Sequence, residues 1–400
     1  MQEFRPSIDE LAELIVGFAA NVQPGQVVSV LSEPGKEAVT RAVAESAYRR
    51  GARFVDVWYF DYYVKRARLA HAAENTLEYV PPWYGERLLA LGREQAARIA
   101  LAGLAAPHAL DGLDPARAGR DRLPILKELV TVVNERSTNW TAAPAPTGPW
   151  AELVHPELEP EAAYARLWDE IVHVCRLDEP DPATAWRTRM RELVATAERL
   201  TARRFDALHF EGPGTDLTIG LLPSSSWQAA EFTRADGLRH LVNVPSEEVF
   251  TTPDPERVDG FVRATLPLEY VGSIIRGIEV RFEAGRAVSI EAESGAGVLR
   301  TAAAGDEGAS RLGEVALVDR RGRVGPLGTI FYDTLLDENA ASHIALGQAY
   351  TFAVADSDKR RVNESHIHID FMIGSDDVAV TGLTRDCGRV PVLYGGEWQV

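Results

Sequence analysis

VVSVLSEPGKEAVTRAVAESAYRRGARFVDVWYF, residues 27–60, is the stretch from which the fold can be read. Val27 to Leu31 is a short apolar run rich in β-branched residues and reads as a buried strand. Lys36 to Arg50 reads as a helix and Phe54 to Phe60 as a second strand. Strand, helix and strand in that order predict a parallel, doubly wound sheet. The turn after the first strand is Ser32-Glu33-Pro34-Gly35. It has neither the GxGxxG nor the GxxxxGK[ST] pattern that cradles a phosphate, so a nucleotide site is not expected.

Upstream, Ser7 and Glu10 form a capping box, and Ile8, Leu11, Ile15, Phe18 and Val22 recur on one helical face until Pro24-Gly25. Glu3, Asp9, Glu10 and Glu13 interrupt that start, which therefore lacks the basic and apolar regions of a secretory signal. No stretch reaches the about 18 apolar residues of a membrane span. The only cysteines, Cys175 and Cys387, are far apart, which excludes a disulfide framework and favours a cytoplasmic address.

Downstream, Thr141 to Trp150 is mostly Ala, Pro, Thr and Gly and reads as a rigid surface connection. Helices are expected at 161–177 and 182–203, with Trp168 and Trp186 in the core. After Arg204, short strands alternate with Gly, Pro and Asp turns at 208–211, 217–221, 278–283, 287–292, 314–318 and 367–373. A chain of 400 residues suits two domains. The reading is an α/β domain with a helical extension over 1–195, then an α+β domain over 196–400 with a mostly antiparallel sheet or partial barrel. The net charge of −17 argues against a nucleic-acid partner, which needs a basic face, and suits a protein that holds cations.

Ser-His-Ile-His-Ile-Asp-Phe-Met-Ile, residues 365–373, sets His366, His368 and Asp370 at alternate positions. On a strand all three project from one face, with Ile367, Ile369 and Phe371 on the other. Imidazole and carboxylate two residues apart suit a Zn²⁺-like ion, or else a surface His–Asp hydrogen bond. Glu247 and Glu248 are adjacent, so only one of them can point inward. Glu314 heads the apolar run to Val318 and is costly to bury unless paired or metal-bound. Residues 337–343, Asp-Glu-Asn-Ala-Ala-Ser-His, read as a capped helical turn ending near Gly347, with His343 either a ligand or a packed helix residue.

Taken together, Glu-Glu-Val-Phe-Thr (247–251), Leu-Gly-Glu (312–314), Asp-Glu-Asn-Ala-Ala-Ser-His (337–343) and His-Ile-Asp-Phe-Met-Ile-Gly-Ser (368–375) resemble one family. It is the thermophilic-type metallo-aminopeptidases, the group containing aminopeptidases T and S and PepS. Gly214-Thr-Asp-Leu217, Pro267-Leu-Glu-Tyr270 and Gly396-Glu-Trp398 carry the similarity nearly end to end. The resemblance implies metal ligands at Glu248, Glu314, His343, His368 and Asp370, two divalent ions (Zn, Co or Mn), and a catalytic tyrosine at Tyr350. It implies a homodimer that removes N-terminal residues from peptides through a metal-activated water, with Glu314 or Glu248 moving the proton. Two positions depart from the pattern: His366, where the family does not require histidine, and Cys387 in Arg-Asp-Cys-Gly, where relatives show Asp-Gly. Two other readings compete. A mononuclear non-haem iron dioxygenase would use His343, His368 and Asp370 but has no need of Glu248 and Glu314. A non-catalytic binding homologue predicts erosion of the ligand set.

Overall fold

The structure is a computed structural model and describes residues 6–121, 123 and 127–400. The chain falls into two compact units. One takes the described residues of Met1–Leu113, Arg120–Met190 and Ala230–Ser246; the other takes Asp114–Gly119, Arg191–Ala229 and Glu247–Val400.

The first unit is built on a four-stranded parallel sheet of β1 (Val27–Ser32), β2 (Phe54–Tyr59), β3 (Ala97–Ala102) and β4 (Asn139–Pro144), in the order β2-β1-β3-β4. Val28 and Val30 of β1 are fully buried, as are Val43 and Ala47 of the following helix, Glu37–Arg49. The capping box at Ser7 and Glu10 forms as expected and starts a helical run that continues to Ala19. Trp186 is fully buried and Trp168 nearly so, on the two expected helices Pro160–Val174 and Pro182–Arg203.

β1 has β2 on one side and β3 on the other, so the crevice at their C-terminal ends is where doubly wound sheets usually take a ligand. Here Lys36 fills it. Its buried Nζ lies 2.8 Å from Glu33 Oε1 and donates at 2.7 Å to the carbonyls of Leu101 and of Gly103.

One expectation fails in this unit. Thr141 to Trp150 is not a surface connection: it holds most of β4 and the start of the helix Gly148–Val154. Thr141, Ala143, Ala145 and Trp150 are all buried, and Ala142 bonds the backbone of Val242 and Val244 as well as β3. Small side chains are what allow a strand to be enclosed this way, and small side chains carry little of the apolar signal by which strands are recognised.

Besides a two-stranded ribbon, Leu268–Tyr270 with Ser273–Ile275, the second unit contains two large antiparallel sheets. The larger has eight strands, running from Arg286–Glu291 at one edge to Glu397–Trp398 at the other. The smaller has five, in the order His368–Met372, His343–Gly347, Leu312–Val318, Glu248–Thr251 and Gln228–Ala229. An α/β unit followed by an antiparallel α+β unit is the predicted fold class. The strands Leu312–Val318, His343–Gly347 and Glu248–Thr251 are buried at every position, so the small sheet is covered on both faces.

His343 therefore belongs to a strand and not to a helix. The helical turn lies earlier, at Thr334–Asp337. The buried Asp337 carboxylate closes it by accepting the backbone N–H groups of Phe331, at 2.9 Å, and Asp333, at 3.3 Å. Gly347 ends the strand with φ +103°, and a Cβ there would stand 2.2 Å from the Ile367 carbonyl oxygen.

Candidate metal centre

Paired residues of an antiparallel ladder share a face, so the registers of the small sheet state which side chains meet. Glu248 pairs with Val318, Phe250 with Ala316, and Ala316 with His343. Glu314 and Asp370 both pair with Ala345, and His368 with Gly347. One face thus carries Glu248, Glu314, His343, His368 and Asp370. The middle of that face is lined by Ala316 and Ala345, whose short side chains leave the polar groups from either side to converge.

Gly313 sets the aim of Glu314. The register slips between Leu312 and Glu314, and a Cβ on Gly313 would stand 2.3 Å from the Gly347 carbonyl oxygen and 2.4 Å from that of Gln348. The neighbouring Glu247 turns elsewhere: its N–H donates to Asn339 Oδ1 at 2.6 Å, and its Oε1 accepts from Arg323 N at 3.3 Å. Glu248 faces the cluster.

The ligand atoms converge. His343 Nε2 is 3.0 Å from Glu248 Oε2, and His368 Nε2 is 3.3 Å from both Glu314 Oε2 and Asp370 Oδ2. Three overlapping groups each bring ligand atoms within 4.8 Å: Glu248, Glu314 and His343; Glu314, His368 and Asp370; and Glu338, His343 and Asp370. All five residues expected as ligands are in one place. The sixth, Glu338, was missed. It follows Leu335, Leu336 and Asp337 at the end of a short helical turn, where an acid reads as surface.

His366 stands apart. It is exposed and precedes the strand, which begins at His368, and its N–H donates to Asp306 Oδ2 at 2.8 Å. The three-residue alternation expected for His366, His368 and Asp370 therefore covers only the last two. Tyr350 is at the site, its ring centroid 5.6 Å from that of His368. Burial pushes its phenol up, so the hydroxyl stays protonated and available as a donor.

Whether these residues suit a metal is decided by their hydrogen bonds. Nδ1 of His343 is 3.1 Å from the Ala341 carbonyl and Nδ1 of His368 is 2.7 Å from that of Gln348. Each carbonyl takes the Nδ1 proton, which leaves Nε2 as the lone-pair nitrogen facing carboxylates. Lone pair against carboxylate is repulsive unless a cation lies between them. Asp370 Oδ1 is buried with no hydrogen-bond partner, and the likewise buried Glu248 Oε2 has His343 Nε2 at 3.0 Å. In the absence of metal, protons take that place. Burial works against a charged His343 ring, but Glu248 outweighs it and raises the ring to about 10. Asp370 does the same for His368, which is held well above the usual imidazole range. Burial pushes Glu314 up to about 7 and Glu338 well above the carboxylate range. Asp370 is held low because the His368 charge overcomes its own burial.

The charge count agrees. Glu248, Glu314, Glu338 and Asp370 carry four negative charges when ionised, which two divalent cations balance with both imidazoles neutral. Such a set fits hard or borderline divalent ions.

A family model described as thermophilic metalloprotease (M29) matches residues 4–398. Aminopeptidase T of Thermus thermophilus is 42% identical over the full length of both chains. Aminopeptidase PepS of Streptococcus thermophilus is 35% identical, again over the whole of each chain. Among solved structures, wild-type AmpT from Thermus thermophilus superposes with a TM-score of 0.88 at 42% identity, covering 98% of this chain and 99% of that one.

Proposed function

The chain belongs to the thermophilic metalloprotease (M29) family and is a metallo-aminopeptidase; on that premise we propose that it releases N-terminal amino acids from peptides at a dinuclear metal centre. The ligands are Glu248, Glu314, His343, His368 and Asp370, joined by Glu338. The observation that carries this reading is the buried cluster of four carboxylates around two imidazoles whose Nε2 atoms face inward. A single-iron site on His343, His368 and Asp370 would leave Glu248 and Glu314 buried beside it with no second cation to balance them.

Two divalent ions, zinc, cobalt or manganese by class, supply the charge that acidifies a water and polarises the scissile carbonyl. The protein's own groups do the rest. Glu314 takes the proton of the attacking water and returns one to the leaving amine. Tyr350 keeps its proton and donates a hydrogen bond to the oxygen that gains charge as the carbonyl carbon becomes tetrahedral. The free α-amino group of the substrate would also bind the metals, which confines cleavage to the first peptide bond.

We further propose a cytoplasmic homodimer. Neither cysteine is in a disulfide, and no helix among the described residues is long and apolar enough to cross a membrane. Exposed Phe54 and Tyr59 on the edge strand β2, with Tyr63, Val64 and Trp83 on the helices after it, offer an apolar surface to a second copy.

The test is turnover of a leucyl peptide and its N-acetylated form, before and after chelation. Chelator-sensitive cleavage of the free peptide alone is expected. Equal cleavage of both, or cleavage that survives chelation, contradicts the reading.

A further inference from the structure

An enzyme that holds the first carbonyl at a metal cluster also fixes the side chain of the first residue within a bond or two of that cluster. The side chains flanking the cluster therefore decide which first residues are accepted. Phe250 is on the same sheet face as the ligands, two positions after Glu248 and opposite Ala316. Its ring centroid is 5.6 Å from that of Tyr350, and the Phe352 ring is 5.1 Å from Tyr350 and 6.5 Å from Phe250. Tyr350 thus stands beside His368 with Phe250 and Phe352 packed on it, and Gln228, the cross-strand partner of Phe250, is a polar side chain on the same sheet face. Phe250 is 3% exposed and belongs to the core, whereas Phe352 and Tyr350 are each half-buried.

The segment carrying Phe352 is held independently of its ring. The Tyr350 carbonyl accepts from Thr252 Oγ1 at 2.8 Å, and the Ala353 carbonyl accepts from Ser226 N at 2.8 Å. Ala349 and Val354, on either side of the turn Thr351–Ala353, pack with Leu222 and Val362 in a buried cluster. The partly open Phe352 ring is thus surplus to what anchors the turn.

We propose that Phe250, Tyr350 and Phe352 form the wall that receives the side chain of the substrate's N-terminal residue, and that Phe352 sets a preference for large apolar residues there. The inference rests on the aminopeptidase reading. An aromatic wall gains by burying a leucyl or phenylalanyl side chain and gains little from alanyl. A glutamyl carboxylate gains no such burial, and none of the three rings carries a cation to pair with it.

The experiment is steady-state hydrolysis of leucyl, phenylalanyl, alanyl and glutamyl p-nitroanilides by metal-loaded wild type, Phe352→Ala and Phe352→Lys, with metal content measured for each. Wild type is expected to favour leucyl over alanyl by about tenfold or more in kcat/KM, the range of a few methylenes in an apolar pocket. Phe352→Ala should collapse that ratio, chiefly through KM. Phe352→Lys should raise the glutamyl-to-leucyl ratio by about tenfold or more, a gain that damaged folding does not produce. Ratios that stay at their wild-type values in both variants, while every substrate falls alike, overturn the proposal. If wild type hydrolyses none of the four, it is the aminopeptidase reading that fails.

Discussion

His343 and His368 show how a ligand is prepared before any metal arrives. Each gives its Nδ1 proton to a backbone carbonyl, Ala341 and Gln348, so each is held in the tautomer whose Nε2 faces the carboxylates. In the metal-free protein these sites hold protons instead, with His343 raised to about 10, His368 raised well above its usual value and Glu314 at about 7. Metal must displace those protons, so its affinity rises with pH. Between pH 7 and 9 the His343 imidazolium proton is at stake, and the apparent affinity for zinc should climb by up to about tenfold per pH unit. Competition with a chromophoric chelator measures it; an affinity flat across that interval would contradict the assignment. The sign for stability is the reverse. His343 has a folded pKa above its unfolded one, so its contribution to the metal-free fold is complete below the usual imidazole value and is lost as pH rises through about 10. At this scale His368 and Asp370 were legible as alternate residues on a strand, because period two is a strand's own signature. Glu338 was not, since nothing in a sequence distinguishes an acid at the end of a buried helical turn from one in water.

At the scale of elements, the site is a property of four strands in register. The one-residue slip at Gly313 is what allows Glu314 to pair with Ala345 and to share a face with Asp370. A side chain at Gly313 has no space beside the Gly347 and Gln348 carbonyls. Gly313→Ala should therefore cost about 1–3 kcal/mol of stability, as overpacking does, and weaken metal binding together with it. Thermal denaturation with and without metal reads both, and a variant with unchanged Tm and unchanged affinity would show that the slip is incidental. Sequence periodicity locates some of the strands, among them Val27–Ser32, Leu312–Val318 and His368–Met372, leaves others such as Ala97–Ala102, Pro253–Arg263 and Ala379–Leu383 unread, and misreads two elements. β4 escapes it because alanine, threonine and proline bury without an apolar pattern. The strand His343–Gly347 reads as a helix because Asp337 resembles an N-cap, whereas it ends the shorter turn Thr334–Asp337 and bonds the chain before it.

At the scale of the molecule, the division of labour is plain in the two units. The parallel unit carries a sheet whose usual ligand crevice is filled by Lys36. The antiparallel unit supplies every group of the proposed metal centre, from Glu248 to Asp370. The order of these units was legible from the change in element character near residue 204. Residues 230–246 return to the parallel unit, through contacts with β4 that no local pattern announces. The central claim is that four buried carboxylates and two imidazoles hold two divalent ions that the reaction requires. Chelator-stripped protein titrated with zinc or cobalt, with leucyl p-nitroanilide turnover followed at each addition, tests it most directly. Activity is expected to be absent without metal and to reach its plateau at two equivalents per chain. A plateau at one equivalent, or full activity in the stripped protein, would contradict it.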